Sequence, residues 1–365
     1  MSYNQYTVNS FDEYIKCITE IGQRNSIDSN TPPVLWSRGH RMHNWNLLPT
    51  LIRSVKLGPM GGDLVGSSYR AIEEELRQQH YIAKNFHFLS REPQSSLEWM
   101  EVMQHHGVKT RLLDWSESMI HSLIFAIECF FNEKEYRTTE RIQSSPCVWI
   151  IQPVDWNREA LKLLFQNDNL IGACIESIPS DSINKSEIKS RMQRLQGNIE
   201  DYFSEKEITA YHLNKIFNLS SIAGELRSMR SDDLVYQMRN GELYYCIFYF
   251  LMFVYMNTRP VEITDVLPLS IIESYHSDRI RAQKGAFSIF PYYEETSQIQ
   301  SLKRLHMYPD SMENMSLGNK YLHKIVLNNP DKIAFEVMNA GLNISWLYPE
   351  MPVVANAIEN RKIII

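Results

Sequence analysis

No two of the five cysteines lie close enough to form a C-x-x-C pair. Cys17, Cys129, Cys147, Cys174 and Cys246 are scattered along the 365 residues. That spacing gives no disulfide framework and no cysteine-based zinc site, and the adjacent His105 and His106 do not supply one. No metal site is expected. A basic stripe is also missing. The formal net charge is −6, with Lys and Arg spread thinly, so composition gives no support for a nucleic-acid partner except as a modified acceptor. A nucleotide-sized ligand stays open, because it needs only one or two well-placed cations. The opening "MSYNQYTVNSFDEYIKC" lacks a positive segment followed by an apolar one, so no secretory signal is read there. Free thiols and this start together suggest a cytoplasmic protein. The longest apolar run, "LYYCIFYFLMFVYM" (Leu243 to Met256), makes about 21 Å of helix at 1.5 Å per residue, short of a bilayer core of roughly 30 Å. It is expected to be a buried helix, with no membrane involved. Repeats and long low-complexity tracts are absent.

What is present is a 44% hydrophobic chain, long enough for two domains or one elaborated domain. "NSFDEYIKCITEIGQ" reads as a helix capped by Asn9 or Ser10. "PPVLWSRGH" reads as a strand ending at Arg38-Gly39, and "NWNLLPTLIRS" as a loop and turn. Residues 68–86 read as helical. "SSLEWMEVMQHHG" opens with a capping-box pattern, Ser95 with Glu98, and stops at Gly107. "KTRLLDW" is a short strand. "SESMIHSLIFAIECFF" is a helix starting at Ser116 or Ser118, and "PCVWIIQP" is a strand inside a sheet. From about 156 to 262 the chain turns helical, charged and then aromatic, which reads as a helical insert between halves spanning 1–155 and 263–365. Strand character returns with "RIRAQKGAFSIFP" and "LHKIVL", and "PDKIAFEVMNAG" reads as a final helix before a short terminal one.

The densest polar stretch is "MQHHGVKTRLLDWSES", Met103 to Ser118. Each polar residue in it has a structural account. Arg38 or Arg111 could pair Asp114. Trp115 could be core. Ser116 and Ser118 are good helix caps. Gln104 and Gln283 are amides at otherwise apolar positions, and each needs partners if buried. Taken together, Arg38, Gln104, His105, Arg111, Asp114, Ser116 and Gln283 are many for one core, since an unpaired buried polar group costs about 1–3 kcal/mol. The stretch is expected to form one wall of a polar cleft, with Arg38 and Gln283 on neighbouring strands.

"WSRG", "NWNLLPTLIR", "EWMEVMQHHGVKTRLLDWSESMIHSLIFA", "CVWIIQP" and "DRIRAQKGAFSIF", in that order, resemble the FRG domain, with Ser37 standing where its Phe-Arg-Gly-type strand has Phe. More distantly, the arrangement is similar to the ADP-ribosyltransferase fold: an Arg-Gly strand (Arg38, Gly39), then a strand and an S-x-S-type stretch (Ser116, Ser118) leading into a helix. The resemblance implies an α+β fold, with a small mixed or antiparallel β core flanked by helices. It also implies NAD as the ligand, cleaved or used for ADP-ribosyl transfer, in bacterial toxins or anti-phage defence. Arg38 would hold phosphate, Ser116 and Ser118 the ribose, and Asp114, His105 or Gln283 the reacting centre. Gly39, Gln104, Arg111 and Trp115 would complete the ligand contacts. That class of site carries an acid on a later strand, where "RIRAQKGAF" offers Gln283. The amide cannot act as a base and carries no charge, which favours a second reading: a module that binds a nucleotide or a protein and does no chemistry. A third is an interaction protein that forms a homo-oligomer through the run at 244–256.

Overall fold

A computed structural model describes residues 3–25, 33–56, 93, 95–131, 145–177, 185–197, 247, 250–251, 253–255, 266–272, 282–291, 311–344 and 347–348. The expected helix at 68–86, the terminal helix, Cys246 and most of the 156–262 segment lie outside these residues.

Local sequence explains the helices. In α1 (Phe11–Arg24) the Ser10 side chain accepts a hydrogen bond from the Glu13 N–H, and Tyr14, Cys17 and Ile21 turn one face into the core. Helix α2 (Thr50–Lys56) forms where a loop is expected from the sequence; burial of Leu51 and Ile52, and the bond from Leu51 N–H to Thr110 O, outweigh a weak local signal. Helix α3 (Ser96–His105) is capped by Ser95, whose hydroxyl takes the Glu98 N–H at 3.1 Å, and Gly107 supplies the left-handed residue after it (φ 79°). Helix α4 (Met119–Ile127) is capped by Ser118. Helix α5 (Pro153–Phe165) has Pro in its first turn. Beyond it lie α6 (Asp168–Ser177), α7 (Lys185–Gly197), the single turn α8 (Gly318–Tyr321) and α9 (Pro330–Asn339).

Seven strands make one mixed sheet: β1 (Asn4–Val8), β2 (Trp36–His40), β3 (Leu112–Ser116), β4 (Cys147–Ile151), β5 (Leu269–Ile272), β6 (Gly285–Ile289) and β7 (Leu322–Leu327), in spatial order β1-β7-β4-β2-β3-β6-β5. The fold is α+β, as expected. Only β1 and β7 are parallel. Strands β1 and β5 were not read from the sequence; each is short and finds its place through pairing with distant partners. One side of the sheet is covered by α2, α3 and α5, with Trp36, Trp149 and Trp156 in its core; the other is covered by α1, α4 and α9, around Val148, Ile150 and Ile325. Helix α5 is fastened to β5: Trp156 Nε1 donates to Pro268 O, and Asn157 exchanges two bonds with Ser270. The described residues of the aromatic run, Ile247, Phe250, Leu251 and Phe253 to Tyr255, are helical and buried, with the Phe250 ring against Phe165. Among the described residues no helix is long and apolar enough to cross a membrane.

The joint between β2 and β3 matters most. Strand β2 pairs with β4 along all five residues but with β3 only at Ser37 and Ser116. Helix α4 lies across β2 at very short range, and Gly39 permits this. A Cβ there would sit 2.0 Å from Ser122 O and 2.7 Å from Ala126 N, both backbone atoms. Gly39→Ala is expected to cost about 3 kcal/mol, because neither helix nor strand can retreat without repacking a core. Urea unfolding reads this directly, and a wild-type midpoint would mean that α4 does not sit against β2 as described.

Candidate functional site

Because β2 and β3 meet at one pair, the sheet opens beyond it, and a cleft of about 290 Å³ occupies the opening. Strand β2 contributes Ser37, Arg38 and Gly39; β3 contributes Asp114, Trp115 and Ser116; α3 contributes Glu101, Gln104 and His105. Ser122 and Phe125 of α4, with Gln283, Gly285 and Phe287 at β6, close the rest.

Arg38 spans the opening. Its Nη1 donates to Asp114 O at 2.7 Å and Asp114 Oδ2 at 3.3 Å, and its Nε donates to His40 Nε2 at 3.0 Å. Its Nη2 makes no hydrogen bond among the described residues, which leaves half of the guanidinium fork for a ligand. The Arg38 side chain is 17% exposed and that of Asp114 is 49% exposed, so this pair sits at an opening rather than in a sealed core. His40 is what aims Arg38. It is buried, and its pKa lies well below the ordinary histidine value, chiefly through burial and then through the charges of Arg38, Arg53 and Lys324. The ring is therefore neutral, and Nε2 is free of a proton to accept from Arg38.

Asp114 is held from the other side by a directional chain. The Leu112 N–H donates to Thr110 Oγ, so the Thr110 hydroxyl donates onward to Gln104 Oε1 at 2.6 Å. The Gln104 amide must then point Nε2 at Asp114, 3.0 Å from both carboxylate oxygens. A third cation stands nearby. The Arg53 pKa is lowered by burial and by Arg38 and raised by Asp114, so Arg53 feels both charges; its Nε is buried without a partner.

The two serines are committed to the scaffold. Ser116 Oγ donates to Gln283 O at 2.7 Å and accepts the Ser118 N–H at 3.1 Å. Ser118 Oγ caps α4 through the His121 N–H at 3.3 Å. Gln283 is not on a strand, contrary to the sequence reading. It is helical, two residues before β6, followed by Lys284 at a positive φ of 48°, and its Nε2 donates to Leu347 O at 3.1 Å.

Arg38, Gly39, Gln104, His105, Asp114, Trp115, Ser116 and Gln283 thus come together at the cleft. Two expected ligand contacts fall elsewhere. Arg111 is buried, with Nη1 on Phe290 O, and Ser118 serves as the cap; neither lines the cleft. Trp115 shows the cleft only part of its surface and anchors itself by donating from Nε1 to Ser288 Oγ. Sequence reasoning missed His40, Arg53 and Glu101. His40 is two residues beyond Arg38 and hence on the same strand face, and Glu101 is one helical turn before Gln104; both spacings were readable. Burial raises the thiol of Cys17 to about 11 and that of Cys147 to about 12, so neither is a nucleophile at neutral pH. Among the described residues no three His, Cys, Asp or Glu side chains converge as metal ligands.

The comparison with known families decides what the segment around this opening is: a family model matches residues 34–135. Those residues are an FRG domain. The FRG segment holds β2, α3, β3 and α4, hence Arg38, Glu101, Gln104 and Asp114. No curated protein and no solved structure matches the chain.

His40 gives a pH prediction. Its folded pKa is depressed, so below its unfolded value of about 6.5 the unfolded chain binds a proton that the folded one refuses. Its contribution is complete above that pH and is lost as pH falls below it. His121 and His323, also lowered by burial, act in the same sense, while Glu313, raised by burial, acts oppositely. Chemical denaturation between pH 7.5 and 5 should show His40→Gln with a flatter loss of stability than wild type, by up to about 1.4 kcal/mol per pH unit. Parallel curves would show that His40 takes up a proton as readily in the folded protein as in the unfolded chain.

Proposed function

We propose that the cleft binds NAD or a closely related dinucleotide and cleaves its nicotinamide–ribose bond, passing ADP-ribose to water or to an acceptor. The observation that carries this reading is the Arg38–Asp114 pair held at an open cleft by neutral His40 on one side and Gln104 on the other. Such a pair offers a fork for a diphosphate and a carboxylate beside it. Opposite charges half-open to solvent add little to stability, so packing alone does not account for the supporting network. A volume of about 290 Å³ is near the lower end of ligand pockets, roughly 300 Å³, and suits one end of a dinucleotide with the rest at the mouth.

The chemistry asks for what the cleft contains. Breaking the bond passes through an oxocarbenium-like centre, as glycoside cleavage does. Arg38 Nη2 would hold phosphate, Asp114 would orient the ribose, and the Trp115 and Phe287 walls would limit water. Ser116 and Ser118 would act by fixing the start of α4, since their hydroxyls are already engaged. We place this activity in bacterial toxin or anti-phage defence, the setting that FRG-like domains suggest. A second reading, a nucleotide-binding module without turnover, is favoured by one observation: Gln283, in the place of the expected acid, is an amide tied to Leu347 O.

Purified protein incubated with NAD is expected to release nicotinamide, and Arg38→Ala to lower that rate by about 10²-fold or more. Binding that depends on Arg38, without release, would establish the binding module. Neither release nor binding would overturn both readings.

A further inference from the structure

Two guanidinium groups share one carboxylate beside the cleft. Arg38 pairs with Asp114 at 3.3 Å. Asp114 is also the carboxylate among the described residues whose charge acts on Arg53 of α2, where burial and the Arg38 charge weigh against the cation. Asp114 is half exposed and gives both oxygens to Gln104, so it cannot neutralise two arginines. The nitrogens left over are specific. Arg53 Nη2 donates to Thr50 Oγ at 3.2 Å, its one side-chain hydrogen bond among the described residues, and its Nε is buried without a partner. Arg53 Nη1 has no partner there either and is not closed off from solvent; Arg38 Nη2 is in the same state. Both side chains are placed in advance. His40 steadies Arg38, and α2 is tied to the approach to β3 by the bond from Leu51 N–H to Thr110 O. Lys324, the other cation near His40, is already engaged by the Trp149 and Tyr3 rings and by His43 O. The surplus of positive charge therefore rests on the two arginines.

We propose that Arg38 and Arg53 together form a two-arginine anion site that takes the diphosphate of the ligand, one phosphate on each guanidinium. This rests on the reading of the cleft as a dinucleotide site, and it narrows the ligand to one with two adjacent phosphates. A planar fork of donors suits phosphate oxygens, and two forks suit a diphosphate better than a single phosphate. Arg38 lines the cleft and Arg53 does not, so a ligand held by both leaves the cleft at Arg38. That fits a volume of about 290 Å³, which takes one end of a dinucleotide and not the whole of it. The anion also supplies what the protein lacks: acceptors for the open Arg38 Nη2 and Arg53 Nη1, and charge to offset two neighbouring cations.

The test compares wild type, Arg53→Gln and Arg53→Lys as full-length protein. Calorimetry measures the affinity for inorganic pyrophosphate, inorganic phosphate and NAD, and thermal melting checks folding. Wild type is expected to bind pyrophosphate about tenfold or more tightly than phosphate. Arg53→Gln should lose that preference, with pyrophosphate and NAD each weakened about tenfold or more, because charged hydrogen bonds to one phosphate are gone. An Arg53→Gln protein that keeps the wild-type preference, whatever its melting point, marks Arg53 as structural and overturns the proposal, leaving the NAD reading standing. If Arg53→Gln does not fold, Arg53→Lys decides. It keeps the charge and loses the fork, so a loss of about tenfold in pyrophosphate affinity is expected; an unchanged affinity overturns the proposal. Pyrophosphate bound through Arg53 by a wild type that does not bind NAD overturns the NAD reading and leaves the anion site. Wild type that binds neither overturns both.

Discussion

Two adjacent strands that share a single residue pair leave a gap in a sheet, and the remaining backbone groups along that gap need partners. Arg38 resolves this for β2 and β3. It reaches from β2 to the Asp114 carbonyl, a main-chain acceptor that a continuous ladder would have satisfied, and meets the Asp114 carboxylate on the way. The arrangement around it follows. His40 has to stay neutral to steady the guanidinium, Gln104 has to face Asp114, and Thr110 has to orient Gln104. Local strand pairing is exchanged for a side-chain bridge, and the space so opened is the cleft.

Charge is distributed unevenly around that bridge. Arg38, Arg53 and Lys324 all depress His40, so three cations gather on one side of the sheet in a chain whose overall balance is negative. Lys324 is neutralised differently from the other two. It is nearly buried, lies over the Trp149 ring at 4.7 Å and the Tyr3 ring at 5.4 Å, and donates to His43 O. Arg53 has an unsatisfied Nε and Arg38 an unused Nη2. The region would therefore gain from an anion, and net charge gives no hint of that.

Helices were legible from the sequence because their signals are local: Ser95 before Glu98 and Ser118 before α4 mark starts that the hydrogen bonds confirm. Strands β2, β3, β4 and β7 were legible from short apolar runs. The partners of each strand were not. Nothing in "LLDWS" says that it meets "GAFSI" in full register and "WSRGH" at a single pair. Of the stretch from Gln104 to Ser116, the structure brings Gln104, His105, Asp114, Trp115 and Ser116 to the cleft. Gln283 reaches the cleft too, but from a helical residue rather than a strand, because strand β6 begins only after Lys284 at φ 48°. Arg111 does not line the cleft, because a long cation next to a strand can turn into the core when a carbonyl such as Phe290 O awaits it.

The order of strands also bears on how the protein is made. Among the described residues, 34–135 supply β2 and β3, and the other neighbours of these strands, β4 and β6, come from beyond that segment, as does the edge pairing of β1 with β7. A nascent chain that has emerged only as far as residue 135 holds both sides of the gap and neither of the strands that would keep them in place. Closure over such long sequence separations is slow, because loop entropy is lost before the distant contact forms. The cleft therefore does not exist until residues near 289 have left the ribosome. Synthesis itself thus imposes a delay before the site is assembled.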